Sequence, residues 1–109
     1  MPRTIILAPE AVEDLNALRA YDRAAVRDAL ERHLRHEPTK TNKRRIKRLR
    51  GVHHPRYRLR VDEVRVFYDV TDDAVAVLVI MPKASAAAWL DRYADRGVDA
   101  PRDGDGEEE

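Results

Sequence analysis

The sequence contains no cysteine, and this absence narrows the chemistry open to the protein. Without thiols there can be no disulfide framework, no thiolate metal site and no cysteine nucleophile. The longest uncharged apolar run, residues 74–82, is far shorter than the roughly 20 residues of a membrane-spanning helix. The first residues do not have the pattern of a secretory signal peptide. We therefore expect a cytoplasmic protein that does not associate with a membrane.

Several catalytic motifs are absent as well. The sequence has no glycine-rich phosphate loop, no Ser–His–Asp pattern and no clustered carboxylates suited to magnesium. We expect neither a metal site nor a cofactor.

Acidic residues are missing from one long segment. The chain has 21 basic and 20 acidic residues, yet no Asp or Glu lies between Pro38 and Val61. Residues 97–109 show the reverse, since they are strongly acidic. Blocks of like charge usually mark an interaction surface or a disordered tail. We predict a folded domain over residues 1–96 and an acidic disordered tail over 97–109. The basic residues of the segment are Lys40, Lys43, Arg44, Arg45, Lys47, Arg48, Arg50, Arg56, Arg58 and Arg60.

The first half of the chain is patterned as one strand and two helices. Residues 4–7 are β-branched or apolar and predict a strand. Apolar residues at helical spacing then predict a helical hairpin. Pro9 suits the first turn of its first helix. Asp22 is the expected N-cap of the second helix, and Pro38 is expected to end it.

The second half changes to the period of strands. Residues 57–61 and 64–70 alternate on either side of an Asp62-Glu63 turn. Residues 75–80 are continuously apolar, which is typical of a central strand buried on both faces. Ser85 is the expected cap of a last helix, in which Trp89 and Tyr93 favour the core. The order predicts an α+β fold with an N-terminal strand, a helical hairpin, an antiparallel meander and a short C-terminal helix, its helices on one face of the sheet.

A two-residue turn at Asp62-Glu63 places basic residues together. It pairs Arg60 with Arg65 and Arg58 with Phe67, and puts these four side chains on one face. Opposed like charges destabilise a hairpin by roughly 0.2–1 kcal/mol, so their presence indicates a polyanionic ligand. Arginine binds phosphate bidentately, and an exposed Phe67 would stack on a base. The alternative is an ordinary solvated strand face neutralised by nearby carboxylates.

Three further side chains are candidates for chemistry, and each has a simpler reading. His53 and His54 precede the basic strand, and histidine is suited to proton transfer near neutral pH. As an adjacent pair they are weak metal ligands, and they also fit an ordinary loop. Lys83 is either a phosphate contact or a solvated lysine.

The motifs between residues 45 and 89 resemble the core of RelE/ParE toxins. Four of them follow one another in order: Arg48-Leu49-Arg50-Gly51, Tyr57-Arg58-Leu59-Arg60, Val64-Arg65-Val66-Phe67-Tyr68-Asp69-Val70 and Val75-Ala76-Val77-Leu78-Val79-Ile80. The resemblance implies a microbial-ribonuclease-type fold and the toxin role in a type II toxin–antitoxin system. In the RelE branch, toxins enter the ribosomal A site and cut mRNA, whereas the ParE branch inhibits DNA gyrase.

The resemblance also assigns roles to residues. It implies that Arg58, Arg60 and Arg65 stabilise the reacting phosphate and that Lys83 is the late basic residue. Because arginine is a very poor base, we nominate His54 as general base, with His53 second. We expect further RNA contacts from Lys47, Arg48, Arg50, Arg56 and Phe67.

Two departures from the RelE branch keep other functions open. Arginines stand where that branch typically has lysines on the first basic strand, and its late tyrosine has no clear counterpart here. We expect a metal-independent, ribosome-dependent mRNA endonuclease. The alternatives are a non-enzymatic gyrase inhibitor and a catalytically degenerate binding module. The expected partners are a cognate antitoxin, with the ribosome and mRNA or, alternatively, DNA gyrase.

Overall fold

A five-stranded mixed sheet forms the centre of the computed structural model, which describes residues 2–94. The strand order is β1-β5-β4-β3-β2, in which β1 is parallel to β5 and the other neighbours are antiparallel. The described strands are β1 (Thr4–Leu7), β2 (Ile46–Arg48), β3 (Tyr57–Val61), β4 (Val64–Val70) and β5 (Ala74–Pro82). The helices are α1 (Pro9–Ala17), α2 (Ala20–Ala29), which continues into a π-helical turn (Leu30–Leu34), and α3 (Lys83–Tyr93).

The predicted α+β architecture is confirmed in its main elements. The N-terminal strand has the predicted bounds, Pro9 opens α1, and a helical hairpin, meander and last helix follow in order. The β3–β4 hairpin also has the predicted register, with Arg60 opposite Arg65 and Arg58 opposite Phe67. Asp62 turns the chain with φ 54°, a left-handed conformation that Asp tolerates better than most residues.

The basic segment contains a strand that the pattern did not predict. β2 pairs antiparallel with β3, and Ile46 lies opposite Leu59. Both side chains are buried in the main core. A single apolar residue among cations produces no alternating pattern, so only the pairing with β3 reveals this strand.

The helix ends differ from the predicted caps. Arg19, and not Asp22, is the N-cap of α2; Asp22 lies in the first turn, where its carboxylate meets Arg19 Nε at 3.2 Å and faces the positive end of the helix dipole. The last helix begins at Lys83, before Ser85, because Pro82 ends β5 in an extended conformation. α2 gives way to the π-helical turn well before Pro38.

Helices cover both faces of the sheet, which corrects the expectation of one covered face. α1 and α2 contribute Leu15 and Val26 to the main core on one face. On the other face, Leu90 of α3 packs with Phe67 and Val79 in a second cluster. We call these the hairpin face and the α3 face. The last helix is therefore part of the layer that borders the basic residues of β3 and β4.

β5, the strand expected at the centre of the sheet, lies next to the central strand. β4 is the central strand, and its residues from Val64 to Tyr68 are all buried. Burial along β5 mostly alternates, since Ala76 and Leu78 are only partly covered. The alternating charge of the β4 sequence predicts one solvent-exposed face, and it gives no sign that Arg65 is buried.

Among residues 2–94, no helix is long and apolar enough to cross a membrane. The predicted disordered tail, residues 97–109, lies outside the described residues.

Candidate nucleic-acid interface

An open cavity of about 410 Å³ lies on the α3 face, and its lining is almost entirely cationic. Its residues come from the loop before β2, from β2, β3 and β4, and from the start of α3. We call this cavity the basic groove. It is lined by Asn42, Lys43, Lys47, Arg58, Arg60, Arg65 and Lys83.

Strand register explains why these side chains converge. Lys47 of β2 lies opposite Arg58 of β3, and Arg60 of β3 lies opposite Arg65 of β4. Alternate residues of a strand share a face, so all four project to the α3 face. Lys83 joins them because α3 starts where β5 ends, and its backbone N–H donates to the Glu63 carbonyl at 2.7 Å. The fold thus gathers positive charge that is spread over 41 residues of sequence.

The three strand arginines differ in accessibility, which corrects the picture of one exposed arginine face. Arg60 is exposed, whereas Arg58 and Arg65 are 8% and 4% exposed. Arg65 Nη1 donates to the carbonyls of Asp62 at 2.8 Å and Val64 at 3.1 Å. Part of its guanidinium is thus committed to holding the hairpin turn. Arg60 is the strand arginine best placed to meet a ligand.

Phe67 is not available to stack on a base, contrary to expectation. Its side chain is 0% exposed and stacks on Trp89, with ring centroids 5.4 Å apart and planes inclined by 17°. The hairpin register placed it on the correct face, but α3 covers that part of the sheet. Trp89 packs against the second cluster as expected, whereas Tyr93, expected in the core, is exposed.

His54 does not lie with the groove arginines. Its Nδ1 is 3.0 Å from Asp69 Oδ2, and the other oxygen of that carboxylate accepts the Arg56 backbone N–H at 2.7 Å. This cluster is next to Tyr57, at the end of β3 remote from Arg60, and the strand rise puts about 10 Å between those two residues. His54 does not line the groove that contains Arg60, and its nomination as general base stays a prediction.

Some of the other predicted RNA contacts line the groove and others do not. Lys47 and Lys83 line the groove, as the phosphate-contact reading requires. Arg48, Arg50 and Arg56 are exposed but lie nearer the His54 end and do not line it.

Sequence reasoning did not single out Asn42 and Lys43. The Asn42 side-chain oxygen accepts the backbone N–H groups of Arg44 at 2.9 Å and Arg45 at 2.6 Å, and the Asn42 backbone N–H donates to the Ile46 carbonyl at 2.9 Å. Asparagine commonly organises such local turns. The available signal was an asparagine four residues before an isolated apolar residue, Ile46, in a basic run.

The groove is suited to binding an extended anion. Its cations occupy a sheet face and a helix start, and Asn42 provides an additional polar side chain. Guanidinium groups bind phosphate oxygens in pairs, and ammonium groups act as point charges. Arginine remains protonated, so the lysines are the lining side chains that can exchange a proton.

The chain matches a known family of toxins. The family model described as the ParE toxin of the type II toxin–antitoxin system, parDE, matches residues 5–86. No curated protein sequence matches the chain.

Solved structures share the fold. The toxin–antitoxin complex RelBE2 of Mycobacterium tuberculosis contains a chain 25% identical, with a TM-score of 0.60 over 75% of this chain and 99% of that one. The archaeal RelE–RelB complex of Pyrococcus horikoshii gives 24% identity and a TM-score of 0.64, covering 79% and 100% of the two chains. The E. coli DinJ–YafQ toxin–antitoxin complex gives 14% identity and a TM-score of 0.62, covering 79% of this chain and 98% of that one. Because the family model spans most of its length, this chain belongs to the ParE toxin family of type II toxin–antitoxin systems, within the RelE/ParE superfamily that its motifs indicated.

Proposed function

We propose that this type II toxin acts in the cytoplasm as a ribosome-dependent mRNA endonuclease that needs no metal ion. The observation that carries the proposal is the basic groove, in which six cations surround one open cavity. A groove of this charge fits a phosphodiester backbone better than an apolar protein segment.

The exposed and the buried residues of the groove would have different roles. Arg60 and Lys83, both exposed, hold the reacting phosphate and stabilise the charge that develops as a ribose 2′-hydroxyl attacks it. Arg58 and Arg65, which are buried, contribute positive potential from beneath. One of the groove lysines relays the proton of the attacking hydroxyl to the 5′-oxygen, which leaves as its bond to phosphorus breaks, because arginine does not exchange a proton.

A ribosome assay tests this function. Purified toxin is added to ribosomes carrying a defined mRNA, and cleavage is mapped by primer extension. We expect wild-type protein to cut the message and Arg60→Ala to cut it on the order of a hundredfold more slowly. The matched control is Arg27→Ala, which removes an exposed arginine of α2 outside the groove and should cut at the wild-type rate. Intact mRNA in the presence of folded wild-type toxin would refute the endonuclease.

Inhibition of DNA gyrase is the second candidate. It is favoured by the match to the ParE family, the branch that the sequence resemblance associates with gyrase inhibition, and by a groove whose lining contains lysines but no histidine, carboxylate or tyrosine. Such a surface can bind a target without doing chemistry on it. A gyrase supercoiling assay with the same proteins separates the two functions, because an endonuclease leaves supercoiling unaffected.

We further propose that a cognate antitoxin covers the basic groove and the adjoining junction of α2 with the sheet. The structural neighbours are complexes of a toxin with its antitoxin. An exposed cationic groove in a toxin favours an acidic segment that folds onto it. Arg60→Glu should weaken antitoxin binding at low salt in a titration, and undiminished affinity would place the antitoxin elsewhere.

A further inference from the structure

A second cavity, of about 450 Å³, lies on the hairpin face and meets the basic groove at Arg60. It is formed between α2, the π-helical turn, the loop before β2 and the end of β3. We call it the helix-side cavity. The side chains that matter for its chemistry are Asp28, Arg32, His33, Arg44, Arg45 and Arg60.

The early end of β2 lies where the two cavities adjoin. β2 pairs only with the first three residues of β3, so Arg60 and Val61 extend beyond it. At this step the Arg60 backbone N–H donates to the Arg45 carbonyl at 2.8 Å, and the chain then turns away. The sheet therefore has an open edge at Arg60, a residue that borders both cavities.

The charge of the helix-side cavity is also positive. Its lining holds four arginines against the carboxylates of Asp28 and Asp62. Asp28 is engaged by Arg32 at 3.4 Å. Arg44 and Arg45 have their backbone fixed by Asn42 through the two hydrogen bonds described above, so both exposed side chains start from a defined turn.

We propose that the helix-side cavity is a second phosphate-binding site, occupied by the same nucleic-acid strand that fills the basic groove, with Arg44 and Arg45 as its ligands. The strand crosses the open sheet edge at Arg60. This inference rests on the proposed RNA-directed function for the groove and adds a site that makes binding depend on the length of the strand.

His33 reports on occupancy of this site. Burial, then Arg45 and Arg32, lower its pKa, and Asp28 raises it. A bound phosphate would add negative charge beside the ring and move that pKa upward. The other charged residues that line the two cavities bordered by His33 are Glu37, Lys40, Arg44, Arg60 and Asp62.

The test measures binding of single-stranded RNA by fluorescence anisotropy at low salt. The probes are a trinucleotide, too short to occupy both cavities, and an oligonucleotide of about twelve nucleotides. We expect Arg45→Ala and Arg44→Ala each to weaken the longer probe about fivefold and to lower its salt slope by about 0.7. The trinucleotide should bind both variants as it binds wild type. Arg27→Ala, an exposed change on α2 outside both cavities, is the control for loss of one positive charge.

Three outcomes separate this inference from the proposed function. If Lys83→Ala weakens both probes while Arg44→Ala and Arg45→Ala behave like Arg27→Ala, the groove binds RNA and the second site is refuted. If none of the variants changes RNA binding, both proposals are wrong. If Arg45→Ala leaves RNA binding intact but weakens antitoxin binding, the cavity belongs to a protein partner and the inference is overturned.

An NMR titration provides the second readout. The His33 ring pKa should rise when the longer probe is added and should not change with the trinucleotide. An unchanged His33 pKa at saturation with the longer probe would show that no phosphate enters the helix-side cavity.

Discussion

At the scale of single residues, the groove arginines combine structural and binding roles in different proportions. Arg65 is 4% exposed and holds two carbonyls of the hairpin turn. Arg60 is exposed and lines both cavities. Loss of activity on changing Arg65 would therefore not distinguish a misfolded hairpin from a lost phosphate contact.

Arg65→Ala should lower the free energy of unfolding by about 2–3 kcal/mol, because charged hydrogen bonds and a packed side-chain stem are lost together. Arg60→Ala should change it by less than about 0.5 kcal/mol. Urea denaturation of both variants measures the difference. Equal stabilities would mean that Arg65 does not support the turn.

Tyr68 is the residue whose ionisation opposes folding. It is fully buried beneath the hairpin helices, and its hydroxyl donates to the Pro38 carbonyl at 2.6 Å. Burial raises the pKa of this hydroxyl well above its usual value; the neighbouring Tyr57 adds to the rise and Arg58 opposes it. The bond also joins the end of the helical hairpin to the central strand.

Tyr68→Phe should cost about 1–3 kcal/mol at neutral pH, because the Pro38 carbonyl loses its donor. The unfolded state releases the tyrosine proton near pH 10 while the folded state retains it, so this contribution is present below pH 10 and is lost as pH rises further. The stability difference between wild type and Tyr68→Phe should thus narrow above about pH 10. Urea denaturation at neutral and alkaline pH measures it, and a constant difference would contradict the assignment.

At the scale of elements, α3 determines how much of the α3 face is available to a ligand. The stack of Phe67 on Trp89 and the burial of Leu90 attach the helix to β4 and β5. Lys83, at the start of the same helix, is thereby held at the groove. The helix covers Phe67 on this face, and its first residue, Lys83, contributes one cation to the basic groove.

Phe67→Ala should lower stability by about 3–5 kcal/mol, the usual cost of removing a buried aromatic ring. Phe67→Leu keeps most of the volume and should cost less than about 1.5 kcal/mol. Because Phe67 contacts no ligand in this fold, RNA affinity of the folded Phe67→Leu protein should match that of wild type. A selective loss of RNA affinity with unchanged thermal stability would restore the base-stacking role.

At the scale of the whole molecule, charge segregation matters more than net charge. The chain has a formal net charge of +1, but residues 97–109 contain six acidic residues and one basic residue. Deleting them would therefore raise the net charge from +1 to +6. Long-range attraction between the protein and a polyanion depends on this total as well as on the groove.

A protein ending at Arg96 should bind single-stranded RNA more tightly than the full chain at low salt. The gain should disappear near 1 M salt, where the Debye length is about 3 Å. Its melting temperature should stay nearly unchanged, because residues 97–109 offer few large apolar side chains to a core. Anisotropy and thermal denaturation measure the two quantities. A large drop in melting temperature would show that the acidic segment packs on the domain.

Much of the fold could be predicted because it depends on local patterns. Alternation on either side of Asp62-Glu63 determined the hairpin register, and with it which residues of β3 and β4 share a face. The strand at residues 4–7 and the helix that begins at Pro9 were predicted from local patterns in the same way. The resemblance to the toxin family also rested on motifs that follow one another between residues 45 and 89.

Only the tertiary structure decided which side chains are exposed and which of them converge on the basic groove. Alternation shows that Phe67 and Arg65 lie opposite the core, but it does not show that α3 covers one and that the turn binds the other. The pairing of β2 with β3 brought Lys47 to the groove, and the strand rise carried His54 away from it. Sequence patterns specify which side of an element a residue occupies, whereas its accessibility and its neighbours depend on what packs there from distant parts of the chain.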